Sequence, residues 1–340
     1  MLRDPPDAVI LSGDLTLNGD EESLKEFAEL LRPIEEAGIS LLVMPGNHDV
    51  DGVAYRFSGK DVTAEYGATT EEFAQIFESM GLSQAFSRDE TSLSYAVKLT
   101  EDFWILMIDV NGYGIKGFIP EQTIAWVKDQ LRKAKRAKAT VLGVSHQNLL
   151  LHNERFPFGY QIIGAEELIE LYKKYGVKLH FSGHIHMQHI MQADGITDIA
   201  SSSMAVTPNQ YGLLEISPDR SMSYQTVPID VAGWASEMGK TDENLLHFSD
   251  YAAAFFDINT RSKIQDMLED KTISMEEKER MRAFALDVNR RYFAGSLTDA
   301  LEDSEGLALW KKNLPEARWT HYFENMITES ARGMNHWSSD

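Results

Sequence analysis

The chain has 340 residues, 43% of them hydrophobic, enough for a sizeable core and for one large domain or two ordinary ones. Its formal net charge of −21 gives a surface that repels polyanions and argues against nucleic-acid polymers as partners. A small phosphate ester is not excluded, because a bound cation can dominate its own pocket. Cysteine is absent, which rules out disulfides and thiolate metal sites, so any metal must be held by nitrogen and oxygen ligands. No apolar run approaches the roughly 18 residues that span a bilayer. Met1 is followed by LRDPPDA, with neither a basic patch nor an apolar segment, so the expectation for the chain as it stands is a cytoplasmic one.

In chain order, AVILSGD reads as a strand ending at Asp14. A helix follows, starting near Asp20 or Ser23, with Leu24, Phe27, Leu30, Leu31 and Ile34 at helical spacing and Gly38 closing it. SLLVMPGNHD is a second buried strand that breaks at Pro45-Gly46, and the polar stretch from Val50 to Glu90 is expected to hold a helix around Thr70 to Met80. SLSYAVKL and DFWILMID read as an antiparallel pair. Pro120 opens a helix reaching about Arg136, with Ile124, Val127 and Leu131 on one face. TVLGVSH is a strand, Ala165 to Tyr175 a helix, VKLHFSGH a strand, and IMQADG, ITDIASSS, YGLLEIS and SMSYQTV are short strands. After Val231 helical patterns take over to about Arg332, one of them opened by Ser274 and Glu277 at capping-box spacing. The boundary is therefore placed at 230, with one domain over 1–230 and a helical one over 231–332; the tail after Gly333 is expected to be disordered.

Four apolar runs each end in residues that can ligate a metal: Asp14; Asn47-His48-Asp49; His146; and His184-Ile185-His186. Buried strands of a layered α/β fold bring such ends to one rim of the sheet, where a carboxylate, an amide and imidazoles suit Mn, Fe, Zn or similar ions rather than Ca. A lone Gly-Asp is usually a turn, and His184 and His186 alone read equally well as ordinary strand residues. The coincidence at four strand ends favours a metal site.

These motifs, GDLT at Gly13 to Thr16, GNHD at Gly46 to Asp49, the strand-terminal His146 and GHIH at Gly183 to His186, resemble calcineurin-like metallophosphoesterases. Gly117, Gln122 and Trp126 are similar to a G-x(4)-Q-x(3)-W stretch of the bacterial cyclic-nucleotide phosphodiesterase branch, and the part around TDENLL and EGLALW resembles the helical C-terminal cap of some Gram-positive members. The resemblance implies a four-layer α/β/β/α sandwich with an all-helical C-terminal domain. It also implies one or two divalent ions and hydrolysis of small phosphodiesters, cyclic nucleotides foremost. By position, Asp14 would bridge two metals, Asn47, His146 and His184 would complete one shell, and His186 would bind the other ion. His48 would act on the substrate as proton donor, with Asp49 orienting it.

The family pattern opens with a strand ending in D-x-H, whereas none of the thirteen residues before Asp14 is histidine. The expectation is a chain that lacks this first strand, leaving His186 a nearly solitary ligand and lowering activity; a segment upstream could carry a signal for an extracytoplasmic or lipoprotein location. Competing readings are a phosphomonoesterase or phosphoprotein phosphatase, and a degenerate, non-catalytic metal-binding protein. In the loop after His146, His152 is a further substrate-contact residue, weighed against an ordinary exposed histidine. Phe156, Phe158 and Tyr160 can stack on a nucleobase or pack against the cap. His180, His189, Tyr292 and Phe293 read as structural.

Overall fold

The strands form where apolar runs are short and end in glycine or a polar residue, and the helices where leucines recur every three to four positions. The computed structural model describes residues 4–154, 158–298, 304–330 and 333–339. The order begins β1 (Ala8–Leu11), α1 (Glu21–Glu36), β2 (Ser40–Val43), β3 (Val53–Ser58), β4 (Asp61–Tyr66), α2 (Thr70–Ile76), β5 (Ser87–Arg88), β6 (Tyr95–Thr100), β7 (Phe103–Met107), α3 (Glu121–Ala137) and β8 (Thr140–Val144). It continues with α4 (Ala165–Tyr175), β9 (Leu179–Ser182), β10 (His189–Ala193), β11 (Ile196–Ala200), β12 (Gln210–Ile216), β13 (Met222–Pro228), α5 (Val231–Glu237), α6 (Glu243–Leu246), α7 (Phe248–Glu269), α8 (Met275–Phe293), α9 (Glu305–Asn313), α10 (Arg318–Ser330) and β14 (His336–Ser338).

The chain divides into two compact units. The first comprises Met1–His152, Phe156–Ile185 and Met191–Ile199, and the second comprises Asn153–Arg155, His186–Ile190 and Ala200–Asp340. In the first, β1 and β2 pair in parallel, and a seven-stranded sheet runs β10-β11-β9-β8-β7-β6-β5, parallel from β7 through β9. Helices α3 and α4 lay Val127, Leu131, Leu168 and Tyr172 on the large sheet against Trp104, Leu106 and Val141. Helix α1 lays Leu24, Ala28 and Leu31 on β2 beside Leu41, Val43, Phe73 and Phe77. Between the sheets, the Tyr95 hydroxyl of β6 donates to the Val43 carbonyl of β2 at 2.9 Å. The order helix, sheet, sheet, helix is the layered α/β arrangement expected of the motifs. Parallel strands start and stop together, so the ends of β1, β2, β8 and β9 are where β–α loops can meet.

In the second unit β12, β13 and β14 form an antiparallel sheet, with Tyr224 opposite Trp337. Helices α7 to α10 follow one another in sequence before β14. Asn289 of α8 donates to the Thr260 hydroxyl of α7 at 3.0 Å, and Trp310 of α9 donates to the Met281 carbonyl at 2.9 Å.

Two sequence expectations change. The tail is not disordered over its described part: residues 336–338 pair as β14 with β13, which has a free edge that takes them. The sheet β12-β13-β14 falls in the same compact unit as the helices, whose main segment runs from Ala200. The polar stretch after Val50 contains the hairpin β3–β4 as well as the short helix α2. Val53, Tyr55 and Phe57 alternate there, opposite Tyr66, Ala64 and Val62, and Gly59 at φ 63° supplies the tight turn.

Candidate metal centre

Two glycines bring the first two motif loops together. Gly13 has φ 100°, open to glycine alone without strain, and a Cβ there would stand 2.4 Å from the Gly46 nitrogen. A Cβ on Gly46 would stand 2.1 Å from Asp14 Oδ1. The loops therefore touch backbone to backbone, and Asp49 fastens them. Its fully buried carboxylate accepts from the amides of Leu15 at 2.9 Å, Thr16 at 3.3 Å and Gly46 at 2.8 Å. Burial, opposed by the Gly46 amide and reinforced by the nearby Asp14 charge, pushes the Asp49 carboxyl up to about 6. Three backbone amides bind its two oxygens, so Asp49 holds the two loops together.

Asp14 itself stands at φ 53°, a left-handed backbone costing on the order of 1–3 kcal/mol in a non-glycine residue. That conformation divides its two oxygens. Oδ1 accepts the His48 amide at 2.9 Å, and Oδ2 faces His146 Nε2 at 3.2 Å. His146 lies just past β8, and its carbonyl accepts from the Gly183 amide at 2.9 Å, extending the β8–β9 ladder so that the two histidine-bearing ends advance in register. His184, also strained at φ 66°, turns Nδ1 to within 3.2 Å of His146 Nε2. Asn47 Oδ1 is 3.1 Å from the same nitrogen.

The protons settle what this cluster suits. His146 Nδ1 lies 2.7 Å from the Ser12 carbonyl and His184 Nε2 lies 2.8 Å from the Gly159 carbonyl. A carbonyl only accepts, so those two nitrogens carry the ring protons, and in neutral rings the opposite nitrogens present bare lone pairs. Two imidazole lone pairs, a carboxylate oxygen and an amide oxygen thus converge with no proton among them. Such a set is repulsive alone and is the donor set of a cation with nitrogen and oxygen ligands. Among the described residues, Asp14, His146 and His184 form the group whose ligand atoms lie within 4.8 Å of one another. The residues fit a divalent ion.

That proton-free arrangement belongs to neutral rings around an ion; without an ion, and with the His146 ring charged, its Nε2–H bonds to Asp14 Oδ2. Burial alone would raise the Asp14 carboxyl, but this hydrogen bond and charge, helped by the His48 amide, then lower it to about 2. The folded value lies below the ordinary 3.8, so Asp14 contributes stability above that pH and loses it as the pH falls toward about 2. In metal-free protein, the stability gap between wild type and Asp14→Asn in urea is expected to shrink as the pH is lowered through that window. An unchanged gap would refute the assignment.

The remaining expected site residues separate. The His48 imidazole is exposed next to the cluster. His186 is exposed at φ 59° and is not part of the cluster among the described residues. His152 is buried, not an ordinary exposed histidine, with Nε2 3.2 Å from the buried Asp198. Phe156 lies outside the described residues; the Phe158 side chain is 90% exposed, and the Tyr160 ring centre is 5.2 Å from that of His184. His180 is structural as expected. It sits between the Tyr172 hydroxyl at 3.1 Å and Ser145 Oγ at 2.8 Å, and burial lowers it to about 4.

Sequence reasoning passed over the polar groups behind the cluster. Lys116, whose ammonium is lowered by burial, donates to the carbonyls of Val50 at 2.7 Å and Asn111 at 2.9 Å and so ties the GNHD loop to the loop after β7. Buried Asp109, raised by burial, accepts from the amides of Asn111, Gly112 and Leu93. The available signal was an acid inside a strand-like apolar run: Asp109 in DFWILMID and Asp198 in ITDIA.

The chain is 26% identical over 247 residues to the probable glycerophosphodiester phosphodiesterase GpdQ of Arcobacter nitrofigilis, covering 71% of this chain and 78% of that one. It is 38% identical over 60 residues to a probable cyclic nucleotide phosphodiesterase of Ruthia magnifica, covering 18% of this chain and 24% of the relative. A dimetal phosphatase from Danio rerio shares the fold with a TM-score of 0.50 at 12% identity, over 67% of this chain and 82% of that one. The C-terminal domain of cyclic nucleotide phosphodiesterase matches residues 230–332. The calcineurin-like phosphoesterase pattern matches residues 2–188, more than half of the chain and all four motif loops, and the chain therefore belongs to that family of hydrolases acting on phosphoric esters.

Proposed function

We propose that the chain is a metal-dependent phosphodiesterase of small diesters, cyclic nucleotides foremost, with the ion held by Asp14, Asn47, His146 and His184. The observation that carries the metal reading is the convergence of three donor atoms on a fourth, His146 Nε2, proton-free when the rings are neutral. Nitrogen and oxygen donors without a thiolate suit Mn, Fe or Zn. The cyclic-nucleotide reading is supported by the match of residues 230–332 and by Tyr160, an aromatic face for a base beside His184. Glycerophosphodiesters are a second reading, favoured by the relative of that name.

A divalent ion bound there supplies positive charge to the phosphoryl oxygens and an acidified water. The chain does the rest. Asp14 commits one oxygen to the His48 amide and keeps the other for the cluster, which fixes His48 at its rim. From there the exposed imidazole can protonate the departing alkoxide, as a group titrating near neutral pH does well. We assign no ligand role to His186.

The test is hydrolysis of bis-p-nitrophenyl phosphate, cyclic nucleotides, a glycerophosphodiester and p-nitrophenyl phosphate in Mn²⁺, with a chelator control. Chelator-sensitive turnover favouring the diesters is expected, and His48→Ala should lose about 10²–10⁴-fold while binding Mn²⁺ normally. Preference for the monoester would sink the diesterase reading. Mn²⁺ binding without turnover on any ester would favour the non-catalytic alternative.

A further inference from the structure

Asp198 lies at the centre of β11, a strand whose five residues are all buried. A carboxylate there loses its hydration and must be compensated by neighbours. The compensation comes from both ligand-bearing loops. Oδ2 accepts the amides of Leu149 at 2.7 Å and Leu150 at 2.8 Å, in the segment just after His146. Oδ1 accepts the hydroxyl of Ser182 at 2.8 Å, two residues before His184. The network closes on itself, because Asn148 Nδ2 donates to Ser182 Oγ at 2.8 Å and to the Gly183 carbonyl at 3.3 Å. His152 adds its ring at 3.2 Å from Oδ2. Burial would raise this carboxyl; charge attraction from His152 and the hydrogen bonds outweigh it and hold the group below the ordinary range.

We infer that Asp198 is a positioning residue for the metal centre, acting through Ser182 and the Leu149–Leu150 amides to set the separation of His146 and His184. The inference rests on the metal reading proposed above. The backbone ladder fixes only the start of each loop: Gly183 meets His146, and beyond that point the chain turns sharply, with His184 in a strained left-handed conformation. A strained backbone persists only where its surroundings over-determine it. Asn148 ties the two loops to each other directly, and Asp198 grips both at once from a neighbouring strand, with an oxygen for each. It touches neither substrate nor ion, so its effect must pass through geometry: a buried anion on a neighbouring strand serves as the peg around which two loops are wound.

The experiment uses the full chain. Asp198→Asn keeps a carbonyl oxygen for the two loop amides but turns an NH2 group toward Ser182, which then cannot donate there. Ser182→Ala cuts the same link from the other side and leaves the carboxylate with its amides, so it decides the matter should the first variant fail to fold. Mn²⁺ affinity is measured by calorimetry and Co²⁺ is used as a spectroscopic probe of the ligand field, both well below each variant's melting temperature. Val127→Ala, a core truncation under α3, is the control for lost stability alone. The expected result is a loss of Mn²⁺ affinity of about tenfold to hundredfold with a changed Co²⁺ spectrum in Asp198→Asn and Ser182→Ala, and neither change in Val127→Ala. Wild-type affinity and spectrum in both variants, or the same loss in Val127→Ala, would overturn the positioning role and leave the metal centre standing. A wild-type chain that binds neither ion would overturn both.

Discussion

Replacing His146 with alanine is expected to lower phosphodiester turnover by about a thousandfold or more, and to bring the enzyme down to the level of chelator-treated wild type. His146 Nε2 is the point on which the cluster closes, 3.1 Å from Asn47 Oδ1 and 3.2 Å from both Asp14 Oδ2 and His184 Nδ1. Without it, the three remaining donors keep no common focus. A metal's stabilisation of charge at a phosphoryl group is worth several kcal/mol, and each 1.36 kcal/mol is tenfold in rate, which gives the thousandfold. The variant should still fold, because the ladder bond from Gly183 goes to the His146 carbonyl and not to its side chain. The imidazole's contact with the Ser12 carbonyl at 2.7 Å is lost, so a modest drop in stability accompanies the large drop in rate. The measurement is kcat/KM as a function of Mn²⁺, with circular dichroism as the fold control. Turnover within tenfold of wild type at saturating Mn²⁺ would show that the ion is held elsewhere.

The second large effect concerns stability. Asp49→Ala is expected to destabilise the metal-free protein by about 3 kcal/mol or more, since an unsatisfied buried donor costs about 1–3 kcal/mol and the substitution orphans the amides of Leu15, Thr16 and Gly46. The carboxylate is fully buried, so water has no ready path to replace it. Asp49→Asn should cost less, because its carbonyl can still serve Leu15 and Thr16 while its NH2 group opposes the Gly46 amide. Urea unfolding in chelator measures both. If instead Asp49 acted through His48, the alanine variant would lose turnover with its unfolding midpoint unchanged. That outcome would support the role read from the sequence.

The motif loops show which parts of this site a one-dimensional reading can reach. The grouping of Asp14, Asn47, His146 and His184 was legible because each ends an apolar run, and strand ends of a parallel sheet meet for topological reasons that need no knowledge of contacts. Helix α4 was legible to the residue, since Gly164 and Gly176 flank an apolar period that admits one register. The hairpin β3–β4 was missed because its alternating residues lie in a stretch that is polar on average. The strand β14 was missed because three residues have no period of their own and pair only through the open edge of β13.

What the sequence alone determined, then, is the set of candidate donors and its order along the chain: nitrogen and oxygen groups, no thiolate, four loops at four strand ends, in a family of phosphoric-ester hydrolases. Only the tertiary structure decided which of those groups share a point in space, and it did so through contacts distant in sequence. The amides captured by Asp49 lie up to 34 positions away, and Leu149 lies 49 positions from the Asp198 that holds it. Such buried polar links have no periodicity. They are chosen by the need to satisfy every carboxylate that folding removes from water: the ring of His152 turned inward to Asp198, whereas His48 serves Asp14 through its backbone amide and its side chain is left exposed.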